Sequence, residues 1–252
     1  SVRPDERPGM RDVDLDRLAS AYAYRPPSSA SIDRAEQAGK LLNAGARILD
    51  AGGGPGNHSA VWNEQGHRPV LLDPSMTMLA GARARGLFGV RATAQAMPFQ
   101  SRSFSLVWFH LSIHYGEWEA SVDEALRVVD DRGRIEIWTL GADHYEHSFL
   151  TSWFPSIAVI DAARFPDPGL LAAYLETRMT TVAATHPSET VVKTAGEWIP
   201  AIEAGFVSTL QLLSDVERER GIEAIRRRYP DPDEQIAYNL RFTRIVADGV
   251  RF

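Results

Sequence analysis

The chain has 252 residues, enough for one large domain or two small ones, and folding can bury about three quarters of the surface that the unfolded chain exposes. Its composition, 44% hydrophobic, 24% charged and 9% aromatic, is that of a globular protein, neither disordered nor fibrous. The 27 basic residues are outnumbered by 33 acidic ones, a formal charge of −6, which argues against a broad face for nucleic acid or anionic membrane. Zero cysteines exclude disulfides, thiolate metal sites and a cysteine nucleophile, and suit a reducing, cytoplasmic setting. No apolar run approaches the roughly 18 residues of a membrane span, and the charged, Pro-rich SVRPDERPGM start reads as no signal peptide.

Residues 1–12, with Pro4 and Pro8 and no periodic apolar pattern, are expected to be a flexible tail. Helical spacing then covers Val13 to Tyr24, stopping at Pro26-Pro27, and a second helix is expected over Ser31 to Leu42. Residues 13–45 are thus N-terminal helices. From residue 46 short apolar runs alternate with helical stretches. Strands are predicted at Arg47–Asp50, Val70–Asp73, Gly89–Thr93, Phe104–Phe109 and Arg134–Leu140, and helices at His58–Gln65, Met76–Arg85 and Trp118–Val129. Such alternation, at βαβ crossover lengths, argues for a doubly wound parallel sheet with helices on both faces, built from residues 46–140.

Beyond Gly141 the pattern is less regular. Helices are predicted at His144–Phe154, Pro168–Arg178, Glu197–Leu213 and Asp215–Arg228, with strands at Thr181–Ala184, Val191–Lys193 and Leu240–Ala247. Residues 141–252 are therefore expected to complete the sheet and insert helices as a substrate cap or a packing accessory. No repeat or linker separates two independent domains, so the whole chain reads as one. The basic cluster Arg226–Arg228 lies among acids and reads as a solvated helix face.

The most informative stretch is Ile48-Leu49-Asp50-Ala51-Gly52-Gly53-Gly54-Pro55-Gly56-Asn57-His58-Ser59. A strand ends in an acid, and glycines at 52, 54 and 56 let the backbone turn tightly and approach a ligand before a helix starts. The spacing is not that of a dinucleotide fingerprint, since the residue three after Gly54 is Asn57, and a Walker loop's Gly-Lys-Ser/Thr is absent. Asp73 ends the next strand, in Leu72-Asp73-Pro74-Ser75. A carboxylate there can accept hydrogen bonds from both hydroxyls of a ribose.

These features resemble the class I S-adenosyl-L-methionine (SAM)-dependent methyltransferases. The resemblance rests on ILDAGGGPG, LLDPSMTML, AQAMPFQSRSFSLVWFHLSIHY and EALRVVDDRGRIEI, in order, over roughly Tyr22 to Leu140. Its flavour is that of small-molecule methyltransferases related to ubiquinone and menaquinone biosynthesis. It implies a Rossmann-like, seven-stranded, mostly parallel sheet and SAM as cofactor. Asp50 and the backbone at Gly52, Gly54 and Gly56 would hold the methionine end, Asp73 the ribose diol, and Pro74 and Met78 the adenine. The family's usual Asp-Ala after the third strand is Thr93-Ala94 here, with Gln95 as a possible substitute contact. His110 matches a cofactor-contacting position, and Tyr22 or Arg25, before Pro26-Pro27, is placed near the cofactor carboxylate.

Methyl transfer from a sulfonium requires alignment and water exclusion, and a base only when the acceptor must lose a proton. His114, just past the fourth strand, is either that base or a histidine satisfied by packing. The cap aromatics and His144 offer either a pocket lining or plain core, and Asp143, His144 and His147 are too sparse for a metal site, so no metal is expected. Three functions follow: methylation of a small molecule at oxygen, nitrogen or carbon; methylation of a protein; or SAM binding without transfer. The Asn/Asp-Pro-Pro-aromatic tetrapeptide usual in nucleic-acid amino-methyltransferases is His110-Leu111-Ser112-Ile113 here. A monomer or homodimer with no nucleic-acid or membrane partner is expected.

Overall fold

The computed structural model describes residues 13–22 and 27–251. In chain order the elements are α1 Leu15–Ala21, α2 Ser29–Lys40, β1 Arg47–Ala51, α3 Asn57–Glu64, β2 Arg68–Leu72, α4 Met76–Ala84, β3 Gly89–Val90, β4 Phe104–His110, α5 Trp118–Val128 and β5 Val129–Thr139. There follow α6 Ala142–His147, α7 Phe149–Trp153, α8 Ser156–Arg164, α9 Pro168–Glu176, β6 Met179–Thr185, β7 Ser188–Thr194, α10 Ala195–Ala204, a 3₁₀ turn Ser208–Gln211, α11 Asp215–Arg228, β8 Gln235–Arg241 and β9 Thr243–Val250. The expected tail, residues 1–12, lies outside the described residues.

The chain divides into two compact units. One, made of Pro27–Thr139, Pro166–His186 and Thr243–Phe252, holds a seven-stranded sheet in the order β3-β2-β1-β4-β5-β9-β6. Strands β1 to β5 pair in parallel, and β9 is antiparallel to both β5 and β6. The expected Rossmann-like, mostly parallel sheet is therefore what forms. Strand alternation sends β4 side chains to opposite faces. Val107 and Phe109 join Leu49, Ile135 and Ile137 in a core closed by Val122 and Ala125 of α5 and Leu171 and Leu175 of α9. Trp108 turns to the other face, where its ring meets Trp62 of α3 edge-on, centroids 5.5 Å apart. Both rings are fully buried, so helices cover both faces.

The second unit comprises the N-terminal segment, Leu140–Phe165 and Pro187–Phe242. Its own core gathers Phe154, Trp198, Ile202, Phe206, Ile225 and Tyr238 beside a two-stranded ribbon of β7 and β8. A buried polar knot ties α8 to the 3₁₀ turn: the Thr209 hydroxyl donates to Asp161 at 2.5 Å, and Arg164 donates to Thr209 and Ser208. The ions at the end of α11 are ordinary surface pairs: Arg226 with Glu203, and Arg227 with Glu223.

Several details differ from the sequence reading; β5, for one, begins at Val129 and not at Arg134. The single helix expected over His144–Phe154 breaks at Ser148, which leaves α6 in extended conformation and caps α7 by accepting the Thr151 N–H at 3.1 Å. Helix α8 is an addition. The long helix expected from Glu197 stops at Gly205, φ +71°, a left-handed C-cap. The alternating stretch Leu240–Ala247 proves to be two strands in different sheets, parted at Phe242, whose N–H bonds Pro187 O at 2.9 Å.

Close packing in the second unit leaves one helical glycine without alternatives. A Cβ added at Gly221 of α11 would collide with the edge of the Phe154 ring at Cε1 and Cδ1, itself fully buried. Gly221→Ala should therefore destabilise the protein by about 1–3 kcal/mol in urea denaturation, despite alanine's higher helix propensity. An unchanged midpoint would show that the ring moves aside freely.

Candidate functional site

In a sheet of this order β1 and β4 are neighbours whose crossovers leave in opposite directions, and the rim above their carboxyl ends is where ligands dock in open α/β folds. The backbone there is drawn unusually tight. Gly52 has φ +73°, and a Cβ on it would stand 2.5 Å from Cβ of Ser112. The Ser112 hydroxyl donates to Ala51 O at 2.6 Å, so the turn after β1 and the exit of β4 are stitched together. Leu111, between them, sits at φ +54°, a strained value for a branched side chain, anchored by its N–H to Trp138 O at 2.9 Å. Gly56, φ +80°, starts α3 in left-handed conformation.

The two acids predicted for the site are both buried and both held. Asp73 Oδ2 accepts the Gly54 N–H at 3.0 Å, and its Oδ1 accepts the Ser75 N–H at 2.9 Å. A carboxylate has about four lone-pair positions, so these two bonds do not by themselves fill it. The Asp50 Oδ2 accepts the Ser59 hydroxyl at 2.7 Å. Burial pushes the Asp50 carboxyl up to about 7; the hydroxyl and N–H of Ser59 pull it down, and the Asp73 charge pushes it further up. Pro74 and Met78 follow directly, Met78 buried with its N–H on the Ser75 hydroxyl at 3.2 Å.

The remaining predicted residues are spread more widely. β3 ends at Val90, short of the expected Thr93, and Thr93 lies exposed in the loop with Ala94 and Gln95 half-buried. The Gln95 amide donates to Tyr115 O at 3.0 Å, across Gly116, where any Cβ would strike that amide. His114 is buried in the same loop, its ring 4.2 Å from that of Tyr115. Tyr22 ends α1 in the other unit, and Arg25 lies outside the described residues.

His110 joins a cluster that the sequence reading did not assemble. Its ring meets His58 edge-on at 4.6 Å. The Trp108 indole N–H donates to His58 Nδ1 at 3.2 Å, which leaves the Nε2 proton of His58 for the Ser31 hydroxyl at 2.9 Å. Register explains the rest: His110 lies beside Trp138 and Trp108 beside Glu136. The i, i+2 spacing of Trp108 with His110, and of Glu136 with Trp138, was the available signal that each pair shares a face.

A family model described as a methyltransferase domain matches residues 49–137. Malonyl-[acyl-carrier protein] O-methyltransferase of Enterobacter lignolyticus is 38% identical over 101 residues, which cover 39% of this chain and 40% of that protein. The match thus spans less than half the length of the curated relative. Among solved structures, phosphoethanolamine N-methyltransferase 2 of Haemonchus contortus, in complex with S-adenosyl-L-methionine, aligns at TM-score 0.58 and 16% identity over 94% of this chain and 57% of that one. The [4+2]-cyclase SpnF aligns at TM-score 0.56 and 17% identity over 96% and 95%.

The state of Asp50 has a measurable consequence. The folded chain keeps this proton up to about pH 7, whereas the ordinary value is 3.8. Between those values the folded form binds more protons, so its stability falls as pH rises. Asp50→Asn lacks this component. Relative to that variant, the wild type should lose on the order of a few kcal/mol between pH 4 and pH 8 in urea melts. The opposite trend from His144, which burial lowers to about 4, is common to both proteins and cancels. A difference that stays flat with pH would refute the assignment.

Proposed function

We propose that this chain, which matches a methyltransferase-domain family model over residues 49–137, is a class I SAM-dependent methyltransferase that transfers a methyl group from SAM to a small-molecule acceptor. The observation that carries the reading is the bond from Gly54 N–H to the Asp73 carboxylate. It joins the glycine turn and the second-strand acid into one cradle. The residues present fit the cofactor. Asp73 offers a buried carboxylate to ribose hydroxyls, Asp50 offers a buried carboxyl to an ammonium group, and Pro74 and Met78 stand beside them for an adenine, with Thr93, Ala94 and Gln95 in the adjoining loop.

When bound, SAM supplies a methyl group already activated on a sulfonium. The chain's own part is then alignment. Gly52, Gly54 and Gly56 admit the methionine end; Tyr22 and Arg25 are assigned to its carboxylate; His110 flanks it from β4. His114 is assigned to proton removal where the acceptor is a hydroxyl or an activated carbon. The name of the curated relative favours oxygen as the methylated atom, and an acyl group borne on acyl carrier protein as one form of acceptor. Choice of acceptor is assigned to residues 141–252. No described helix is long and apolar enough to cross a membrane, and we place the enzyme in the cytoplasm as a monomer or homodimer.

A second reading, SAM binding without methyl transfer, is favoured by the likeness to a cyclase, because one fold can host unrelated chemistry. Calorimetry and mass spectrometry separate the two. SAM should bind wild type, and Asp73→Ala should weaken it by about a hundredfold or more through loss of two charge-assisted hydrogen bonds. A gain of one methyl on an acceptor then identifies transfer. His114→Ala should keep SAM affinity and lose about a hundredfold in turnover. The absence of SAM binding at millimolar concentration would overturn both readings, and unchanged turnover in His114→Ala would remove the base.

A further inference from the structure

Two carboxyl groups in the sheet-bearing unit are shielded almost wholly from solvent, Asp50 and Glu136, each 1% exposed. Glu136 is answered by Arg244 at 2.7 Å. Asp50 is not answered in this way: no lysine or arginine among the described residues pairs with it. Its hydrogen bonds come from one neighbour, Ser59 of α3, whose hydroxyl and N–H both donate to it. Ser59 is itself fully buried.

The glycine turn closes over the same carboxyl. A Cβ on Gly53 would stand 2.5 Å from the Asp50 Cγ and 2.6 and 2.9 Å from its two oxygens. Gly52, Gly54 and Gly56 have φ in the left-handed region and Gly53 does not, so glycine at 53 is required by the acid beneath it and not by the course of the backbone. Any side chain there would land on Asp50. The acid is therefore roofed by bare backbone at the turn assigned to the methionine end of the cofactor.

A buried carboxyl without a cation keeps its proton or meets positive charge from outside the chain. Burial accordingly holds the Asp50 proton up to about 7, against the pull of Ser59, and the Asp73 charge adds to the effect. The other titratable groups that the packed elements bring near are His58, next to Ser59 on α3, and His110, two residues past Trp108, the register partner of Asp50 on β4; Arg34 of α2 lies behind His110. Asp73 is the charge among them that acts on Asp50.

We propose that Asp50 couples cofactor binding to proton release, the ammonium group of the methionine end taking the place of the carboxyl proton. The O–H bond of the acid breaks, its electron pair stays on the carboxylate, and the proton passes to a base in solvent. Ser59 is the positioning residue that sets the pH at which this happens. The bound form carries one proton fewer than the free form, so affinity rises with pH below the point where the free protein loses its proton and levels off above it. Cofactor loading thereby follows pH. The inference rests on the methyltransferase reading for the identity of the ligand.

The test is calorimetric titration of S-adenosylhomocysteine into the full chain from pH 5.5 to pH 8.5, repeated at pH 6 in two buffers of different ionisation enthalpy. At pH 6 binding should release on the order of one proton, and Kd should fall about tenfold or more between pH 5.5 and pH 8. The companion probe, 5′-methylthioadenosine, has the adenosine end without the ammonium group and should bind with no release. Asp50→Asn, which resembles the protonated acid, should bind S-adenosylhomocysteine with the same affinity at every pH, close to that of wild type at pH 5.5. Ser59→Ala removes a donor that favours the ionised acid and should move the midpoint of the pH curve upward. The two variants report on one acid by different routes, so misfolding of either leaves the other to decide. Binding without proton release, or with an affinity that is flat in pH, would overturn the proposal. So would release that persists in Asp50→Asn, which would assign the proton to His58 or His110, or equal release with 5′-methylthioadenosine. The absence of S-adenosylhomocysteine binding at any pH is a different failure, since it removes the methyltransferase reading and the ligand with it.

Discussion

The close approach of two backbones is the constraint on which the sheet-bearing unit depends. The turn after β1 must pass the exit of β4 with no side chain between them, and Gly52 against Ser112 leaves no room for one. Everything at the rim is positioned from that contact. It brings Ala51 O within reach of the Ser112 hydroxyl, turns Leu111 into a left-handed conformation, and points Gly54 N–H toward Asp73. Parallel pairing of β1 with both β2 and β4 makes the arrangement rigid, since each strand end is hydrogen-bonded on two sides.

Electrostatics then divides the rim into two regions. On the side of β1 and β2, two buried acids repel each other, and one of them holds its proton to near neutrality. On the side of β4, β5 and β9, the guanidinium groups of Arg34 and Arg244 lie over Trp138, and that of Arg244 pairs with the buried Glu136. The distance between these regions is set by strand spacing, about 5 Å per strand, so the polarity is built into the sheet order and not into flexible side chains.

The parallel half of the sheet was legible in the sequence because strands buried on both faces read as continuous apolar runs, as in Leu71-Leu72 or Leu106-Val107. The glycine turn and Asp73 were legible because their chemistry is local. Less visible was anything decided by partners far along the chain. Glu136 in the middle of an apolar strand makes sense only once Arg244, more than a hundred residues later, pairs with it. Leu240–Ala247 looked like one strand because alternation continues through Phe242, and the break comes from a hydrogen bond to Pro187, which no local pattern encodes. Ser148 read as a helix interior residue in the stretch His144–Phe154, whereas it caps α7.

The position of β9 in the sheet has a consequence for how the protein is made. Strands β5 and β6 do not touch in the ladder; both pair with β9, which is translated long after either. During synthesis the growing chain must therefore keep two unsatisfied strand edges apart while the helical insertions emerge, and the sheet closes only when residues 243–250 leave the ribosome. Edges of that kind invite pairing with other chains. The same late strand delivers Arg244 to Glu136, so a nascent chain stalled before it would expose a buried carboxylate without its counter-charge, and quality control would have an electrostatic as well as a hydrophobic sign of incompleteness to act on.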